Sequence, residues 1–128
     1  MVNNNRPTVL SIAGFDPSGG AGLLADIKAF EQLKCYGLGV STALTVQNDV
    51  KFEKTKWIEW EFIKEQLQLL FERFPIAYVK IGIVENLMVL RQIINFILDQ
   101  NKSAKIVLDP VLKSSTGFIF HKAPTDFQ

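Results

Sequence analysis

What most constrains this chain is a regular exchange between two hydrophobic periods. Short apolar runs rich in β-branched residues alternate with longer segments whose apolar residues recur every three or four positions. Residues 8–13 (TVLSIA) read as a buried strand closed by Gly14. Leu23, Ile27, Phe30 and Leu33 then lie at helical spacing, with Lys34 at the end and Gly37 as the stop. Residues 38–46 form a second strand, and residues 47–52 mix turn residues with alternation, as a small hairpin or flap does. Trp60, Ile63, Leu67, Leu70 and Phe74 mark a second helix that ends before Pro75. A third strand over 77–81, a third helix carrying Leu87, Leu90, Ile94, Ile97 and Leu98, and a fourth strand over 105–108 complete the series. Strands and helices alternating at these lengths make βαβ units, and hence a largely parallel sheet with helices on its faces.

In such sheets ligands sit beyond the carboxyl ends of the strands. That rule gathers residues 14–22, Gln47 and Asn48, residues 82–85, and Asp109 onward along one edge. After Asp109-Pro110 the sequence turns loop-like, and residues 121–128 carry no further strand or helix signal, so the pattern stops part-way. Hydrophobic residues at 48% and charged residues at 21% are those of a chain with a packed core.

Charge excludes several functions. Fourteen Lys and Arg against thirteen Asp and Glu leave a net charge of +1, without the one-signed field that draws a protein to nucleic acid or anionic lipid. No nucleic-acid or membrane partner is expected. The polar residues 1–7 and the Ser11 break exclude a signal segment, and the apolar runs are too short to span a bilayer. A single cysteine, Cys35, forms neither an internal disulfide nor a zinc knuckle, so a reducing, cytoplasmic location is expected.

The chemistry concentrates in residues 14–22 (GFDPSGGAG), where four glycines separate a strand from a helix and bare amides can approach a polar ligand. Asp16 or Ser18 is available to cap the helix. The segment has no lysine and is therefore not a P-loop. Gly20, Gly22 and Ala25 do satisfy the dinucleotide-binding spacing, but that fingerprint should follow its strand directly and be answered by an acid at the end of the second strand. Thr45, Val46 and Gln47 stand there instead.

Residues 11–28 (SIAGFDPSGGAGLLADIK) closely resemble the N-terminal signature of the hydroxymethylpyrimidine/phosphomethylpyrimidine kinases of thiamine biosynthesis, which are ribokinase-like. The resemblance continues in order through Tyr36-Gly37, residues 42–48 (TALTVQN), Lys80-Ile81-Gly82 and residues 107–111 (VLDPV). It implies an α/β, three-layer ribokinase-like sandwich, with residues 1–128 as the N-terminal portion of one kinase domain. The C-terminal half, with its Gly-Thr-Gly-Cys anion hole and catalytic cysteine, has no counterpart in these residues. It further implies transfer of the ATP γ-phosphoryl group, with Mg²⁺, to an aminopyrimidine or its monophosphate, by a protein that is a homodimer at full length. Alternatives are a non-catalytic pyrimidine-binding module and a dinucleotide-binding oxidoreductase fragment.

The resemblance assigns Gln47 to recognition of the aminopyrimidine, which its amide suits by both donating and accepting hydrogen bonds. It places Gly14, Asp16, Ala21, Val46, Ile83 and Val111 around the same substrate, and Asp26 as a candidate for orienting it. Asp109, at a strand end, is a candidate near the phosphates or Mg²⁺. Bland readings stand beside these: Gln47 and Asp109 as turn-formers, Asp26 as a solvated helix residue, and Lys80 facing solvent as readily as the site. Two departures are visible: Phe15 replaces a small polar residue, and Lys113 stands two positions before the place where the family carries a lysine.

Overall fold

A computed structural model describes residues 5–109. Five strands and three helices follow in the order β1 (Thr8–Phe15), α1 (Gly22–Gln32), β2 (Tyr36–Gln47), β3 (Phe52–Trp57), α2 (Trp60–Arg73), β4 (Tyr78–Ile81), α3 (Leu87–Gln100) and β5 (Lys105–Leu108). One sheet has the order β3-β2-β1-β4-β5. Strands β2, β1, β4 and β5 run parallel, and β3 returns antiparallel to β2. The chain moves from β1 to β2 on one side and later reaches β4 on the other. A topological switch point therefore lies between β1 and β4, the position where a crevice opens in an open α/β sheet.

Alternation along the strands sorts side chains between the two layers. Leu10 and Ile12 of β1, Leu38 and Val40 of β2, and Val79 and Ile81 of β4 meet Ile63 and Leu67 of α2 and Val89, Leu90, Ile93 and Ile97 of α3 in one buried cluster. Each such side chain taken out of water contributes about 1.5–3 kcal/mol. The opposite face of the sheet carries α1, which rests on β1 and β2. There the strand offers Gly37 and Gly39: a Cβ at Gly37 would come within 2.9 Å of Ile27 Cδ1, and one at Gly39 within 3.2 Å of Leu23. The helix lies close to the sheet yet has no fully buried residue.

Gly37 is thus a packing residue inside β2, not the stop of α1. The helix ends one turn earlier through Lys34, whose φ of 63° is left-handed. The Lys34 N–H donates to Glu31 O and the Cys35 N–H to Phe30 O, the paired bonds of a Schellman ending. The expected hairpin at 47–52 is present and longer than its sequence signal, with β3 running to Trp57. Its residues FEKTKW put charge on an edge strand, which guards the edge and hides the strand from a search for apolar runs.

Candidate functional site

The loop after β1 is built around one carboxylate. Asp16 is buried, and its Oδ1 accepts from the Ser18 N–H at 2.8 Å and the Ser18 hydroxyl at 2.6 Å. Its Oδ2 accepts from the N–H groups of Gly20 and Ala21 at 3.2 and 3.1 Å. All four bonds stay within residues 16–21, so Asp16 shapes the loop. Neither Asp16 nor Ser18 caps α1: the N-cap is Ala21, and no side chain accepts from the first turn. Gly22 is required where the loop enters the helix, because its φ is +63° and a Cβ there would collide with the Gly14 carbonyl oxygen.

Strand β2 brings Gln47 to the same edge. Thr45 donates its hydroxyl proton to Phe15 O at 2.7 Å and accepts from Gln47 Nε2 at 2.8 Å. The single hydroxyl proton is committed to the carbonyl, so the Gln47 amide must present its NH₂ group to Thr45. Among the described residues nothing else takes Gln47 Oε1 or the second amide hydrogen, which leaves both for a ligand. Thr45 is therefore a site residue that sequence reading passed over, although its place two positions before Gln47 puts it on the same side of the strand.

Beneath the loop lies an ion pair. Lys80 Nζ stands 2.7 Å from Asp26 Oδ1 and 2.9 Å from Oδ2, and Ser11 Oγ donates to Asp26 Oδ2 at 2.7 Å. Lys80 thus faces the site and not solvent. The signal was present in the polar Ser11 and Lys80 set within two otherwise apolar strands, where they pair in register. Two positions further along the same face come Ala13 and Gly82, which carry almost no side chain, and a Cβ on Gly82 would meet Ala13 Cβ at 3.1 Å.

These parts enclose a cleft of about 420 Å³ at the switch point. Gly14, Asp16, Ala21, Asp26, Gln47, Ile83 and Asp109 all line it, joined by Ser18, Thr45, Asn48, Asp49, Lys80 and Gly82. Val46 does not: its side chain is half-exposed on the other side of β2, between the two residues that face the cleft. Val111 lies outside the described residues.

The sequence model of the phosphomethylpyrimidine kinases matches residues 16–125. The chain belongs to that family. A hydroxymethylpyrimidine/phosphomethylpyrimidine kinase of Aquifex aeolicus is 48% identical over 111 residues, covering 84% of this chain and 42% of the relative. A crystal structure of phosphomethylpyrimidine kinase from Clostridium difficile superposes with a TM-score of 0.81 at 35% identity, over 95% of this chain and 52% of that one. The pyridoxal kinase of Staphylococcus aureus in complex with AMP-PCP and pyridoxal gives 0.73 at 26% identity, over 87% and 41%. The chain spans about half the length of the proteins it matches.

As a phosphomethylpyrimidine kinase family member, the chain has the expected ribokinase-like arrangement, with α1 on one face of a mostly parallel sheet and α2 and α3 on the other. The glycines that fit the dinucleotide spacing belong instead to the carboxylate-centred loop. Phe15 does not enter the cleft: it is absent from the lining, and its carbonyl serves Thr45. Among the described residues no three acidic, histidine or cysteine side chains come together as a metal cluster. Asp109 is exposed at the rim, its N–H bonded to Ile81 O at 2.8 Å. Among the described residues, too, no helix is long and apolar enough to cross a membrane.

Proposed function

We propose that this chain is the pyrimidine-binding, N-terminal part of a single kinase domain that phosphorylates 4-amino-5-hydroxymethyl-2-methylpyrimidine, and then its monophosphate, in cytoplasmic thiamine biosynthesis. ATP is the phosphoryl donor: an oxygen of the substrate forms the new bond to the γ-phosphorus, and ADP leaves. The full-length protein acts as a homodimer. The single observation that carries the reading is Gln47, held by Thr45 with one donor and one acceptor free among the described residues, in a cleft that Gly14 and Ala21 also line. An aminopyrimidine offers a matching donor and acceptor on one edge.

Phosphoryl transfer asks the protein mainly for positioning and for charge neutralisation. The cleft supplies positioning through the Gln47 amide and the hydrogen-bonded 16–21 loop. Asp109 suits Mg²⁺ as one of the one or two carboxylates that ion takes alongside water and phosphate oxygens, and the ion would neutralise charge on the nucleotide. Calorimetric titration of the chain with the hydroxymethyl compound tests the proposal. Binding is expected, and Gln47→Ala should weaken it at least tenfold without lowering the melting temperature, since the residue is partly exposed. Unchanged affinity in Gln47→Ala would overturn the reading.

A further inference from the structure

We propose that Lys80 makes the cleft prefer a phosphorylated ligand over its hydroxymethyl counterpart; the inference rests on the pyrimidine-binding reading above. Four carboxylates line the cleft, and Lys80 is the one cation among its described residues. Two of those carboxylates are already committed, Asp16 to its loop and Asp26 to Lys80 and Ser11. The other two, Asp49 and Asp109, are exposed at the rim, where solvent and salt screen them.

The ammonium group is held in place in advance. Its side chain is 28% exposed, its carboxylate partner 14%, and Ser11, fully buried, fixes that partner from the sheet. An ammonium has three N–H donors, and Asp26 does not exhaust them. Lys80 lines the cleft together with the small residues Ala13 and Gly82. A phosphate oxygen forms a charge-assisted bond with that amine, whereas the neutral oxygen of a hydroxymethyl group forms a weaker one. Lys80 is thereby a specificity-determining residue, acting on one of two ligands that Gln47 holds alike.

The test is titration of the chain with the hydroxymethyl aminopyrimidine and, separately, with its monophosphate. Lys80→Met should weaken the monophosphate by tenfold or more and change the hydroxymethyl compound by less than threefold, and Lys80→Arg should restore part of the difference. Removing one member of an ion pair strands the other, so the ratio is also read in the Lys80→Met/Asp26→Asn double variant, where the amide oxygen introduced by the second substitution still accepts from Ser11. A ratio unchanged from wild type in both variants would overturn the inference and leave the pyrimidine reading standing. A wild-type chain that binds neither compound would overturn both.

Discussion

Asp16 separates a loop-building role from a ligand-binding one, and its removal gives different numbers for each. Asp16→Ala deletes an acceptor of four hydrogen bonds, from Ser18 N, Ser18 Oγ, Gly20 N and Ala21 N. Bonds to a charged group contribute about 1.5–3 kcal/mol each when nothing replaces them. Here water can replace much of that, because Ser18, Gly20 and Ala21 are exposed while Asp16 as a residue is 5% exposed. The net loss is then about 2 kcal/mol, or roughly 6–10 °C in melting temperature for a domain of this size. Asp16→Asn keeps one acceptor oxygen and turns an NH₂ group toward the remaining amides, so it should cost nearly as much. Urea unfolding followed by circular dichroism measures both variants, and calorimetry measures ligand affinity in the same samples. A variant as stable as wild type that has lost the ligand would refute the argument, because Asp16 would then be a ligand contact and not the centre of the loop.

Two further outcomes follow from local geometry. Gly22→Ala drives a Cβ into the Gly14 carbonyl oxygen at a positive φ, so the loop must move; ligand binding should be lost and the melting temperature should fall by more than in Asp16→Ala, both read by thermal denaturation and titration. Thr55 Oγ1 on β3 is buried without a hydrogen-bond partner among the described residues, so Thr55→Val should stabilise by up to about 1 kcal/mol, and a drop in the urea midpoint would contradict that.

The layers of the fold were legible because they are written in apolar periodicity: 105–108 was found with its boundaries intact, and the second helix was found from five apolar positions. The edge was not, since FEKTKW buries little and its alternation is carried by lysines. The α1 stop was misplaced because a lysine took the left-handed turn that glycine usually takes, leaving the real glycine free to pack. At the site, resemblance drew attention to Gly14, Asp16, Asp26 and Gln47, all of which line the cleft, while the hydrogen bonds of the Asp16 carboxylate run within its own loop. Thr45 and the Lys80 pairing rest on contacts distant in sequence, Thr45 with the Phe15 carbonyl on β1 and Lys80 with Asp26 on α1; the polar residues that hint at them are visible along the chain, but their partners are not.

The two faces of the sheet are unequal, with a continuous core under α2 and α3 and no fully buried residue in α1. Opening α1 alone therefore exposes little apolar surface, whereas opening α2 or α3 exposes the core. Amide protons of β1 and β4 should exchange with solvent only on global unfolding, and those of α1 through local, cheaper openings. The cleft straddles that boundary, one wall on the slow-exchanging sheet and the other on a segment free to fluctuate. A ligand spanning both walls would draw α1 into the same cooperative unit as the rest of the fold.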